Sequence, residues 1–117
     1  MPIVPPTPER VERMLAHANL ILTARRDGRL VGFARSVARE LGSRGITCNV
    51  VAPGPVSTDM TAALGESRLA ELTAAVPLQR MATPDEIAGV VAFLASADAA
   101  YITGAVIPVD GGLGMGH

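Results

Sequence analysis

The sequence predicts an α/β fold of the βαβ type, and three stretches carry that prediction. ITCNVVA (46–52) is a β-rich, mostly apolar run cut off by Pro53, the pattern of a strand covered on both faces of a parallel sheet. Thr83-Pro84-Asp85-Glu86 spells a helix start, with a hydroxyl N-cap, proline at the first helical position and a glutamate that completes a capping box. AVIPVD (105–110) reads as a second strand, ended by Gly111-Gly112. Strand, helix and strand over residues 46–110 form one crossover unit, which is expected to be right-handed.

The remaining elements follow in chain order. Prolines in MPIVPPTP predict an irregular lead-in, and Thr7-Pro8-Glu9 opens a helix whose narrow apolar stripe is Val11, Met14, Leu15 and Ala18. LILTARR and RLVGFA flank Asp27-Gly28, a dipeptide that favours a type I′ turn because both positions tolerate positive φ. A hairpin is therefore expected, with strand to Phe33 and helix from there to Leu41. Phe33, Ala34, Val37, Ala38 and Leu41 fall at helical spacing, and Gly42 and Gly45 can end that helix in the left-handed conformation. Residues 66–75 predict a short helix with a polar surface, the character of an exposed flap. Ile87, Val91 and Leu94, with Ala88 and Ala95 beside them, give the helix after Thr83 its apolar face.

With 117 residues the chain has room for one small domain, 1–117, divided by pattern into an N-terminal segment (1–31) and a strand-helix-strand segment (32–117). Hydrophobic residues make up 49% with no Trp, one Tyr and two Phe, so the core must be aliphatic. A mean hydropathy of +0.35 argues for apolar surface that seeks a partner. The net charge is −1 with no block of like charges, which speaks against nucleic-acid and anionic-membrane partners. All ten basic residues are Arg; the chain has no Lys. Cys48 is the single cysteine and sits in an apolar run, as a buried inert thiol does. His17 and His117 lie far apart with no ligand cluster near either, so no metal site is expected. MPIVPPTPER has neither a charged n-region nor an apolar h-region, and no apolar run is long enough to span a bilayer, so a cytoplasmic address is expected.

GFARSVARELGSRGITCNVVAPGPVSTDM followed by LQRMATPDEIAGVVAFLASADAAYITGAVIPVDGG resembles the C-terminal part of a short-chain dehydrogenase/reductase over residues 32–117. The look is that of bacterial 3-oxoacyl-[acyl-carrier-protein] reductases of fatty acid biosynthesis. The resemblance implies an incomplete Rossmann-like fold with NADP(H) as cofactor. Asn49 would lie on the strand leading to the active site. Pro53 and Gly54 would turn the chain beneath the nicotinamide, Val56 would meet the carboxamide through its backbone, and Thr58 would contact the carboxamide or phosphates. Residues 59–76 would form the mobile substrate flap. The last helix and the AVIPVDGG strand would build an oligomer interface, either between copies of this chain or with full-length reductase subunits.

The same resemblance exposes what is missing. Registered on the helix that contains GFARS, the family's catalytic Tyr position is Thr23 and its Lys position is Asp27. Thr lacks the phenol that would give a proton to a carbonyl oxygen, and Asp has the wrong charge to lower a phenol's pKa. Tyr101 matches a position near the final strand and cannot replace the lost tyrosine. The family's catalytic Ser and Gly-rich phosphate turn have no counterpart either. No catalytic residue is assigned, and the reading is of a vestigial reductase; an oxidoreductase with a non-standard proton donor is the alternative. Residues 8–37 also resemble the early helix and first hairpin of a GNAT-type acetyltransferase, without its acyl-CoA phosphate loop. A chimera joined at LVGFARSVA, where the two resemblances overlap, accounts for both; a truncated reductase with an unrelated N-terminus, or an acyl-CoA-related GNAT-like remnant, is the alternative.

Overall fold

In a computed structural model, residues 19–23 and 28–115 are described. The sheet has three strands in the order β1 (Asn19–Thr23), β2 (Thr47–Pro53), β3 (Val106–Val109), all parallel. Helix α1 (Gly28–Leu41) joins β1 to β2. Between β2 and β3 come α2 (Asp59–Ala62), α3 (Glu66–Ala75) and α4 (Pro84–Leu94). The α/β architecture is therefore a piece of a Rossmann-like parallel sheet, as the apolar run of β2 predicts.

β2 organises two cores, because successive side chains of a strand point to opposite faces. Cys48 and Val50 face α1 and bury Ala34 and Ala38, with Val37 and Val106 packed beside them. Val51 faces α4 and buries Leu94 and Ala99, joined by Ile87, Val90, Val91, Ile102, Ile107 and Val109. Burial pushes the Cys48 thiol pKa up, so it stays a neutral packing group. Two residues of this strand are polar and buried, Thr47 and, at 1% exposed, Asn49. Its amide nitrogen donates to Ile102 O (3.0 Å) and its oxygen accepts from Ala105 N (3.1 Å), so it clips the segment entering β3 onto β2. The Thr103 hydroxyl accepts from Cys48 N (3.1 Å), and Gly104 N donates to Cys48 O (2.7 Å), completing the clip.

The expected hairpin does not form. Its first arm is a strand, but β1 runs parallel to β2, in register from Asn19 opposite Thr47 to Thr23 opposite Val51. Its second arm is the first two turns of α1, which is continuous from Gly28. The physical reason is the sheet face that must be covered. A helix brings Ala34, Val37 and Ala38 together over Cys48 and Val50, whereas a strand over 29–34 would send alternate residues to solvent. That burial outweighs the cost of about 1 kcal/mol for Gly32 inside a helix. Phe33 lies on the flank of this face and is left 57% exposed. The antiparallel pair that an acetyltransferase-like start requires is absent among the described residues. The helix expected after Thr7, and Asp27 itself, lie outside them.

Gly45 and the Thr83 cap match their sequence signals, whereas Gly42, expected like Gly45 to be left-handed, opens a 3-10 turn without a positive φ. Gly45 ends the turn after α1 at φ +73°, the left-handed conformation expected of it. Thr83 and Glu86 form the capping box: Glu86 N donates to Thr83 Oγ1 (3.2 Å) and Thr83 N to Glu86 Oε1 (3.0 Å). The crossover hand is less simple. The strand order advances in one direction, yet α1 and α4 cover opposite faces, so the two crossovers have opposite hands. The rule that makes compact connections right-handed governs only one of them. The connection from Gly54 to Ala105 carries three helices.

The Asn49 clip yields a test. Asn49→Ala leaves the part-buried Ala105 N–H and Ile102 C=O without that partner and is expected to lower unfolding stability by about 1–3 kcal/mol. Urea denaturation measures this; a loss no larger than that of an exposed Asn→Ala would refute the clip.

Candidate functional site

The segment that leaves β2 turns at the carboxyl ends of the strands, the place where open α/β sheets bind ligands. The four residues singled out by sequence, Pro53, Gly54, Val56 and Thr58, lie along this single segment. Pro53 is the last residue of β2, and Gly54 N donates to Val109 O (3.0 Å), the final bond of the β2–β3 ladder. Gly54 cannot be anything larger. A Cβ there would come 2.7 Å from Asp110 Cα and 2.8 Å from its Cβ, closer than atoms pack. Asp110 is itself fixed, since its carboxylate accepts from Gly112 N (3.0 Å) and Gly114 N (2.9 Å), the role in the Gly-rich turn that its sequence context suggests.

Val56 presents its main chain in a specific way. It forms a parallel bridge opposite Ala82 in which Ser57 N donates to Ala82 O (2.8 Å) and Ala82 N to Pro55 O (3.0 Å). The bridge bonds belong to its neighbours, so Val56's own N–H and C=O point away from Ala82. The carbonyl accepts from the Thr61 hydroxyl (3.1 Å). The N–H meets no acceptor among the described residues. Thr58 caps α2 by accepting from Thr61 N (3.3 Å), while its own N–H donates to the Thr61 hydroxyl (2.7 Å). Thr58 is exposed, so its hydroxyl is accessible from solvent. Neither α2 nor α3 contains a buried residue, as a flap predicts.

A cleft of about 440 Å³ lies beside this segment, walled by Pro55, Val76, Leu78, Ala82, Val109 and Gly111. Its rim holds a feature the sequence does not advertise. Arg80 grips Glu86 with two bonds, Nη1 to Oε1 (2.7 Å) and Nη2 to Oε2 (2.8 Å), and so ties the end of the flap segment to the start of α4. The hydrogen bonds from Arg80, then that from the Thr83 backbone, hold the Glu86 carboxyl down from the ordinary 4.5 to about 2. Gln79, just before it, has φ +60°, and its amide nitrogen donates to Ala74 O (3.4 Å) and Val76 O (3.1 Å). A spacing of six between Arg80 and Glu86 matches no helical period, which is why pattern reading passes over it.

The catalytic positions fare differently. Thr23 closes β1 rather than opening a helix, and Asp27 lies outside the described residues. Tyr101 is fully exposed in the turn before β3, at the end of the parallel sheet opposite to Pro53. No helix among the described residues is long and apolar enough to cross a membrane.

Two outcomes follow. Gly54→Ala is expected to separate the β2 and β3 ends and to lower the melting temperature, whereas Gly28→Ala, where a Cβ meets nothing within 4 Å, leaves it unchanged or raised; thermal melts of the two variants check this. Glu86 has a lowered folded-state pKa, so its contribution is present above about pH 4.5 and is lost as pH falls toward 2. Glu86→Gln is expected to be less stable than the parent at pH 7 and equal to it near pH 2, and parallel urea titrations at both pH values decide it.

Comparison with known proteins agrees with this geometry. A family model described as enoyl-(acyl carrier protein) reductase matches residues 10–114, and so runs across the segment that also looks acetyltransferase-like. The chain is 59% identical over 88 residues to the 3-oxoacyl-[acyl-carrier-protein] reductase MabA of Mycobacterium tuberculosis, covering 75% of this chain and 36% of that protein. It is 56% identical over 86 residues to FabG, the same reductase of Escherichia coli, covering 74% and 35%. A blue fluorescent protein from a metagenomic library, solved in complex with NADPH, superposes with a TM-score of 0.74 at 43% identity, over 81% of this chain and 44% of that one. The chain thus spans about a third of the length of the curated relatives it matches. With a family match over nearly its whole length and the parallel sheet to go with it, the chain belongs to the short-chain dehydrogenase/reductase family, in the branch described as enoyl-(acyl carrier protein) reductase.

Proposed function

We propose that this chain carries the nicotinamide-docking loop of an NADP(H)-dependent 3-oxoacyl-[acyl-carrier-protein] reductase without the residues that would move the proton. The observation that carries the reading is the Val56 N–H, turned away from its bridge and without an acceptor among the described residues. It sits just past the Pro53-Gly54 turn, at the carboxyl ends of the strands. An amide oxygen is the group such a donor takes, and the exposed Thr58 hydroxyl two residues on can take a second polar atom. These residues fit the carboxamide end of a nicotinamide cofactor, which when bound supplies or accepts a hydride. The structural relative that holds NADPH supports the same reading.

What this chain's own residues do is bind and orient. Gly54, packed on Asp110, keeps the loop close to the sheet, and the Thr58–Thr61 box keeps Val56 O occupied, so that Val56 presents a donor only. Proton delivery has no candidate at the family positions. Thr23 has no phenol, the Asp27 carboxylate would raise rather than lower a neighbouring acid's pKa, and the chain has no Lys anywhere. The proposal is therefore binding without turnover, leaving association with other chains as the function open to it.

A thermal melt with and without NADPH tests this. A ligand that binds only the native state at a hundredfold excess over Kd stabilises it by about 2.7 kcal/mol, a shift of several degrees for a chain of this size. The expected result is an upward shift in the parent, its loss in Val56→Pro, and no fall in NADPH absorbance with a 3-oxoacyl thioester. No shift in the parent would refute cofactor docking, and steady NADPH consumption would refute inactivity.

A further inference from the structure

We infer that the turn Asp110-Gly111-Gly112 is a mechanical link between the loop that leaves β2 and the flap, so that a shift of either is passed to the other. The inference stands on packing within residues 54–114 and does not depend on cofactor binding. One side of the turn is Asp110. Its Cα and Cβ lie so near Gly54 that a Cβ on Gly54 would come within 2.7 and 2.8 Å of them. The opposite side is the glycine pair. A Cβ on Gly111 would meet Val76 Cγ1 at 2.6 Å, and one on Gly112 would meet Pro77 Cγ at 3.0 Å. Both glycines have positive φ, +64° and +96°, so backbone conformation and space alike exclude a larger residue.

The flap is fastened through this turn. Of residues 57–76 only Val76 is buried, 2% exposed, and it is the residue that packs on Gly111. Two positions on, Leu78 N donates to Gly111 O (3.2 Å). The Val56–Ala82 bridge closes the flap at its base. Between these two anchors Gln79 takes φ +60°, a conformation that a residue with a Cβ keeps only where its surroundings impose it. Helices α2 and α3 extend from this neck with no buried side chain of their own.

The turn passes on a shift because it is braced internally. The Asp110 carboxylate accepts from Gly112 N (3.0 Å) and Gly114 N (2.9 Å), and Asp110 O accepts from Leu113 N (3.2 Å). These bonds make Asp110 and the two glycines move as one body. A group that seats on the loop after β2 and holds Gly54 against Asp110 therefore also steadies the neck. Drawing α3 outward, in turn, loosens Gly54, since coupling between two sites is reciprocal. Asp110 is the positioning residue for both. An amide in its place would turn a donor toward one of the two N–H groups that the carboxylate accepts.

Amide exchange on the full 117-residue chain tests the link. Val76→Ala thins the contact on Gly111 and is read across the turn at Gly54, whose N–H is bonded to Val109 O. The expected result is exchange at Gly54 faster by about fivefold or more, the lower end of ordinary coupling between linked sites. Val50 N–H, bonded to Ala105 O nearer the other end of the β2–β3 ladder, stays unchanged. Unaltered exchange at Gly54, or equal acceleration at Gly54 and Val50, overturns the link. Should Val76→Ala fail to fold, Asp110→Asn, which keeps the shape of the side chain, decides. Faster exchange at both Gly54 and Leu78 with Val50 unchanged upholds the link. A rise at only one of the two, at neither, or at all three overturns it.

Discussion

The double burial of β2 is the constraint on which the rest of this structure depends. A strand with neighbours on both edges and a helix on each face has no side exposed to water. Its residues must be apolar or fully hydrogen-bonded. Cys48, Val50 and Val51 meet the first condition and Asn49 the second. Because the side-chain period is two, this one strand also decides which helix lies where. Even positions call for α1 and odd positions for α4, and the opposite hands of the two crossovers follow.

The candidate site inherits its form from the end of that strand. It is built from main-chain groups held by close packing: a glycine pressed on Asp110, a donor exposed at Val56, and a carbonyl occupied by Thr61. Such a site needs few reactive side chains of its own. The positions registered on the family's proton-handling pair, by contrast, hold Thr23 and Asp27, neither a phenol nor an ammonium.

Elements whose signals are local were legible from the residues. The Thr83–Glu86 box, the glycine stop at Gly45 and the apolar run of β2 each involve groups within a few positions of one another. The hairpin reading failed for the converse reason. Asp27-Gly28 is a sound turn signal in isolation, but the stretch after it also carries a helical apolar stripe, and a distant sheet face decided between them. Arg80 with Glu86 and Gly54 with Asp110 were invisible for the same reason, since neither pair has a spacing that any regular element would produce.

By itself, then, the sequence determined the parallel α/β class, the capped start at Thr83 and the glycine stop at Gly45, and it singled out the segment from Pro53 to Thr58 as a candidate. Periodicity, caps and turn residues act over a few bonds, and a family likeness preserves them. Tertiary structure alone decided that Gly28–Leu41 is one helix, that β1 joins the sheet in parallel, and that the Val56 N–H meets no acceptor among the described residues. Those outcomes turn on which faces must be covered and which main-chain groups remain unpaired. Both become defined only when distant strands lie side by side.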